Sequence, residues 1–222
     1  MELYDVMRTT FSAREYTGEE IPDELIYELI ENARFAPSGG NRQGNRVIVV
    51  RDPATREALA MLAEPAAKRY MAQTKAGESP WNAVTQTSIT AAEIEATPAP
   101  GILVNSFRDA SAVLVFVVDL KVVASMDQDL DRIGIISGAS IYPFVWNVLL
   151  GARQAGFGGT ITTLAVAREG EVQMLLNIPV DFAVAAVVPL GKPVKQLNKL
   201  RRNAVAEIAS RERFDGAALT KD

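Results

Sequence analysis

The sequence predicts one domain in which helices pack against buried strands, and three observations carry that expectation. The chain has 222 residues, long enough to bury a sizeable core. Three short apolar, β-branched runs, Arg46 to Val50, Ser111 to Leu120 and Phe182 to Leu190, read as buried strands. The segments around them carry apolar residues at helical spacing. Neither an internal repeat nor a linker of domain-boundary character interrupts residues 1–222, which are therefore expected to form a single domain.

In chain order, Leu3 to Arg8 reads as a short helix, followed by the polar "TTFSAREYTGEE". Pro22 and Asp23 open a second helix, in which Leu25, Ile26, Leu29, Ile30 and Ala33 recur at helical spacing and Asp23 and Glu24 occupy the positive first turn. Its end is expected at Ala36, because Pro37 disfavours helical geometry in the residue before it. The loop "SGGNRQGN" then leads straight into the strand Arg46 to Val50, expected to be central, and Asp52 and Pro53 form the N-cap and first position of the next helix. Residues 72–101 are rich in Pro, Ser, Thr and Gly, a long connection of the lid or binding-loop kind. Ile133 to Ala152 carries no charge and contains Gly134 and Gly138 in GxxxG spacing. Its length suits a membrane span, but it is the only such segment, its upstream flank "MDQDLDR" is acidic, and the buried strands show a globular core; a helix buried in the core or a subunit interface is expected. The terminal "RRNAVAEIASRERFDG" reads as a basic approach to a final helix.

Composition narrows the chemistry. With 23 Lys and Arg against 27 Asp and Glu, the net charge of −4 argues against a general nucleic-acid binder. "MELYDVMRTTFSAR" lacks the pattern of a signal peptide, so a cytoplasmic location is expected. The chain contains no Cys and no His, which removes disulfides, thiolate nucleophiles, Cys/His zinc sites, serine–histidine triads and imidazole bases together. An enzyme built this way must use carboxylates, Lys, Tyr or backbone donors, or take its reactivity from an organic cofactor.

Several motifs sharpen this. "DQDLD" at Asp127 to Asp131 begins like a calcium loop but has Arg132 where the turn requires Gly and Gly138 where a bidentate Glu is needed; it reads as a solvated helix start, with no metal. "GFGGTITT" at Gly156 to Thr163 lacks the third glycine of a dinucleotide fingerprint and follows a helix; it reads either as a turn that lets backbone approach a flat ligand or as a helix C-cap. Arg8, Ser12 and Arg14 near the start and Arg201 and Arg202 near the end supply guanidinium and hydroxyl donors, which would make a phosphate site if they converge in space.

Taken in order, "RTTFSAREY", "PDELIYELIENARFAPSGGNRQ", "RVIVVRD", "SGASIYPFVWNVLLGARQAGFGG" and "LRRNAVAEIASRERFDG" resemble the nitroreductase family of FMN-dependent NAD(P)H oxidoreductases across nearly the whole chain. The most specific part is "APSGGNRQ", supported by the Ser-x-Arg-x-Tyr of Ser12 to Tyr16. The resemblance implies an α+β fold, a three-layer α-β-α sandwich with a mixed central sheet, and an intertwined homodimer with two FMN sites at its interface. Carried onto this chain, the FMN phosphate falls to Ser12, Arg14 and Arg202 with Arg8 and Arg201 as neighbours. The flavin cradle falls to Pro37, Ser38, Gly39 and Asn41 of the partner subunit, and the approach to the reactive ring edge to Gly159, Thr162 and Thr163. On this reading the loop after the second helix is small so that a flat ring can enter; a helix C-cap and turn is the alternative. The implied activity is hydride transfer from NADH or NADPH through FMN to a small electron-poor acceptor such as a nitroaromatic or quinone, with no nucleic acid or membrane partner. Alternatives within the resemblance are a dehydrogenase or dehalogenase of another substrate, or a flavin-binding sink or sensor without turnover. Three positions depart from the family pattern: Thr10 where an Arg is common, Gly44 and Asn45 where Pro-Trp often follows Gln43, and Trp146 where an amide is common.

Overall fold

In the computed structural model, which describes residues 1–221, the core is a four-stranded sheet ordered β1-β2-β4-β3, formed by β1 (Asn45–Val50), β2 (Ala112–Asp119), β3 (Gly158–Gly159) and β4 (Phe182–Gly191). The named strands all pair antiparallel. A parallel bridge between Ser12 and Gly159 extends the β3 edge and makes the sheet mixed there.

The alternation of β2 divides the interior. Leu114, Phe116 and Val118 point into one cluster, where α2 (Asp23–Ala33) and α6 (Tyr142–Gln154) lay down Ile26, Leu29, Val145 and Val148. Val113, Val115 and Val117 point the other way, into a cluster built on Leu59, Ala63, Phe107 and Val172 from α3 (Pro53–Lys75), α5 (Gly101–Asp109) and α7 (Glu169–Leu176). Helices thus cover both faces, and the three layers expected from the resemblance are present. β2 is buried on both faces up to Val118, which is why its sequence is apolar without alternation.

Local signals explain the element ends. Asp52 caps α3 by accepting the Thr55 amide at 2.8 Å, with Pro53 at the first position. α1 (Leu3–Thr9) closes at Thr10, whose hydroxyl donates to the Val6 carbonyl at 2.7 Å. α2 stops at Ala33, earlier than Ala36, and residues 34–36 form a turn before Pro37.

Five expectations need correction. β1 lies at the edge of the sheet and is not central; its apolar run covers helices on the sheet faces and needs no second neighbour. The apolar run from Ile133 is not one buried helix: a 3-10 turn spans Ile136–Ser140, α6 begins only at Tyr142 with Pro143 in its first turn, and Ile133 and Ile135 are exposed. Asp127 is not a solvated helix start. It is 3% exposed, pairs with Arg132 at 2.8 Å and accepts the Ile135 amide at 2.7 Å, which closes a turn. The lid segment holds its own helix, α4 (Ala91–Ala96), because Thr90 and Glu93 form a capping box, and α3 runs three residues past Ala72 into it. The expected final helix is a single turn, α8 (Val205–Ile208). Among the described residues no helix is long and apolar enough to cross a membrane, and no cluster of acidic side chains suits a metal.

Candidate functional site

The site begins at the β3 edge. Ala13 donates its amide to the Gly159 carbonyl at 3.0 Å, Thr17 donates to Lys192 at 2.9 Å, and Val194 donates to Glu15 at 3.0 Å, so residues 12–17 lie along the edge as extended chain. The Tyr16 hydroxyl fastens this segment from below, 2.8 Å from the Ala13 carbonyl oxygen and 2.9 Å from that of Pro189. Burial pushes the Tyr16 pKa far above its ordinary value, against a smaller opposing pull from Arg14, so this tyrosine is a neutral fastening and not a base. Gly159 permits the close approach: a Cβ there would meet the Pro189 carbonyl oxygen at 2.5 Å.

Beyond Gly159 the chain rejoins β4 at Thr162, which exchanges backbone hydrogen bonds with Val187 at 3.0 and 2.9 Å. Here a cavity of about 720 Å³ opens, within the size range of small-ligand sites. Thr160, Thr162 and Thr163 form its floor, Tyr70 of α3 and Trp81 of the lid stand opposite, and Ser106 of α5 closes one side. Arg14 is the one charged side chain in the wall. Thr160 is 1% exposed, and its hydroxyl has no hydrogen-bond partner, a state that normally calls for a ligand or an ordered water. Among the described residues no carboxylate lines the cavity. The wall can therefore bind, orient and exclude water from a flat molecule, and hold an anion at Arg14, but it carries no acid–base pair.

A smaller hollow of about 210 Å³ adjoins it and shares Arg14; Ser12, Lys195 and the acid Glu15 also line it. Arg14 and Ser12 stand side by side there, with the Arg14 guanidinium 3.4 Å from the Ser12 carbonyl. Arg8 stands exposed in the last turn of α1, over the Tyr4 ring at 5.9 Å, and lines neither space. Arg201 and Arg202 lie in exposed irregular chain, Arg202 donating to the Arg201 carbonyl at 2.7 Å, and within one chain they do not reach Ser12 or Arg14. The terminal cation that does meet Ser12 is Lys195, which the sequence reading missed.

The loop at Pro37, Ser38, Gly39 and Asn41 is formed but sits elsewhere. Gly39 donates its amide to the Ser140 hydroxyl at 3.1 Å, Ser38 accepts the Gln43 amide at 3.0 Å, and Gly40, Asn41 and Gln43 have left-handed backbone at φ of 61°, 53° and 50°. It lies at the start of β1 beside the turn before α6 and shares no lining residue with the cavity. Gly44 is required for packing alone, since a Cβ would lie 2.5 Å from Val122. Trp146 is 40% exposed on α6, outside the cavity.

The lid is ordered by one carboxylate. Glu78 accepts the hydroxyl of Thr87 at 2.6 Å, the amide and hydroxyl of Ser88 at 2.7 Å each, and the Gln73 amide at 3.1 Å; these bonds, Thr87 foremost, hold its pKa down to about 2. Gln73, itself buried, accepts the Trp81 amide at 3.1 Å, and Trp81 sits at φ +54° under the Arg69 guanidinium, 4.2 Å above its ring. Tyr70 and Ser106 left no signal, because only tertiary packing brings them to one wall, whereas Thr160 lies inside the GFGGTITT motif.

Comparison with known proteins agrees with this architecture. The Nitroreductase family model matches residues 7–192. An NADH dehydrogenase of Thermus thermophilus is 30% identical over 187 residues, which is 83% of each chain. Among solved structures, iodotyrosine deiodinase bound to FMN and 3-iodo-L-tyrosine superposes with a TM-score of 0.66 at 20% identity, covering 92% of this chain and 96% of that one. The NADPH:FMN oxidoreductase of Vibrio harveyi complexed with NAD+ gives 0.67 at 18% identity over 96% and 77%. The profile match spans the segment laid along the sheet edge, the loop after α2 and the whole sheet, and on that ground the chain belongs to the nitroreductase family.

Proposed function

We propose that the protein is an FMN-dependent oxidoreductase that passes a hydride from NADH or NADPH to a small electron-poor acceptor such as a nitroaromatic or quinone, working as a homodimer. The observation that carries this reading is the cavity at the β3 edge, with Arg14 its single charge among the described residues and the flat rings of Tyr70 and Trp81 in its wall. Both features fit FMN, which carries a phosphate on a flat ring with polar edges. Bound FMN supplies the hydride chemistry that a chain without Cys or His lacks. Arg14, Ser12 and Lys195 would hold its phosphate; the 162–163 segment would meet the ring; Tyr70 and Trp81 would keep water out and give a planar substrate an aromatic wall. Gly159 serves this site through packing, by letting residues 12–14 close on the sheet. Pro37, Ser38, Gly39 and Asn41 reach a flavin only from the partner subunit, which accounts for their distance from the cavity of their own chain.

The test is the visible absorption spectrum of the purified protein, with the released chromophore identified by mass. Oxidised-flavin bands and released FMN are expected, together with NADH or NADPH oxidation when a quinone is added. A colourless protein that takes up no added FMN would sink the reading. Bound flavin without turnover would leave a sink or sensor.

A further inference from the structure

A second hollow, of about 390 Å³, lies in the lid beside the cavity. The stack of Arg69 on Trp81 stands between them: Trp81 faces the cavity and Arg69 lines the hollow with Gln73, Asn82, Thr85, Gln86 and Thr87. Asn82 shapes the loop by accepting the amides of Val84 and Thr85 at 2.8 and 2.7 Å. No carboxylate lines this hollow, and Glu78, the acid of the lid, is saturated by Thr87, Ser88 and Gln73.

Arg69 itself is uncommitted. Its neighbour Lys68 pairs with Glu95 at 2.9 Å, and Arg108 across α3 pairs with Glu57 at 2.6 Å. The Arg69 side chain makes no hydrogen bond or ion pair with a described residue, and its Nε is shut off from solvent without an acceptor. A guanidinium held flat by an indole, its fork free and no acid nearby in the wall, is organised for a phosphate. A nicotinamide dinucleotide whose ring enters the cavity must carry its phosphates out of it, and Arg14 is already assigned to FMN.

We infer that Arg69 binds a phosphate of the dinucleotide donor in the lid hollow, and so sets donor affinity. This rests on the function proposed above. The 2′-phosphate of NADPH and the pyrophosphate common to both donors share this chemistry.

The test uses the FMN-loaded protein and three donors: NADPH, NADH and 1-benzyl-1,4-dihydronicotinamide, which has the reducing ring and no phosphate. In Arg69→Gln, KM is expected to rise about tenfold for phosphate-bearing donors, as loss of one charge-assisted contact requires, with kcat and the benzyl donor unchanged. A rise confined to NADPH assigns the 2′-phosphate, and a rise with both dinucleotides assigns the pyrophosphate. Calorimetric titration with ADP-ribose and its 2′-phosphate gives the same ranking without turnover, and Arg69→Lys recovers part of the affinity. Unchanged KM for both dinucleotides overturns the inference, as does an equal rise with the benzyl donor, which would report a displaced Trp81. Reduction by all three donors with unaltered KM removes this inference alone, whereas no reduction by any donor removes the proposed function with it.

Discussion

Arg14 and Thr160 make the cavity a site at the scale of single residues. Arg14→Ala removes one charge-assisted contact of a kind that contributes about 1.5–3 kcal/mol, so FMN retention is expected to fall at least about tenfold in equilibrium dialysis. Retention equal to the parent's would show that the phosphate lies elsewhere. Thr160→Val separates ligand from scaffold. The substitution keeps the shape and deletes a buried hydroxyl that has no partner in the protein. The flavin-free protein is therefore expected to melt about 2–4 °C higher for about 1 kcal/mol of relieved desolvation, while FMN retention drops. If both quantities stay fixed, the hydroxyl is serving neither ligand nor fold.

At the scale of elements, the lid depends on Glu78. Its folded pKa is near 2 against an ordinary 4.5, so its contribution is fully present above about pH 4.5 and is lost as pH falls through 2. Between those values, amide exchange at residues 78–88 is expected to speed up before that of the sheet does. Glu78→Gln should reproduce the loosening at neutral pH, most visibly at the Ser88 amide, which donates to the carboxylate at 2.7 Å. Mass-spectrometric exchange reads both, and a Ser88 amide as protected in the variant as in the parent would free the lid from this control. Elements also show what the sequence could disclose. The α3 cap and the apolar β2 were legible because local chemistry dictates them: a carboxylate before Pro53, and a run buried on both faces. β1 at the edge was not, since an apolar run records burial of its faces and says nothing of a neighbour on its rim. α5 went unread: residues 102–110 follow Pro98 and Pro100 and carried no assignment between the long connection and the strand from Ser111. Within the site, Ser12, Arg14, Thr160, Thr162 and Thr163 sit in motifs, whereas Tyr70, Lys195 and Arg69 become partners only through the path of the folded chain.

At the scale of the whole molecule, the proposed function makes the cavity and the loop after α2 two halves of a shared site, and within one chain they do not meet. The cavity with Arg14 opens at the β3 edge, while the loop with Gly39 sits at the start of β1, at the opposite edge of the sheet. Exposed apolar side chains, Leu3, Tyr4 and Met7 on α1 and Val205, Ile208 and Phe214 near the C-terminus, offer surface for a second copy to cover. If a two-fold axis brings the loop of each subunit to the cavity of the other, damage to the two half-sites can be complemented. Arg14→Ala harms one half. Gly39→Val harms the other by adding bulk to the loop, where a Cβ alone meets its nearest neighbours at 3.5 Å or more; circular dichroism and the melting temperature check that the variant is folded. Each variant alone is expected to bind FMN poorly. Mixed in equal amounts and allowed to exchange subunits, they form heterodimers in which one site carries both substitutions and the other carries neither. Random exchange makes half of the dimers mixed, so about a quarter of parental FMN binding is expected to return. Binding that stays at the level of the separate variants after exchange is verified by native mass spectrometry would mean that Arg14 and Gly39 serve the same chain's site or different ligands, and the shared-site dimer would fall.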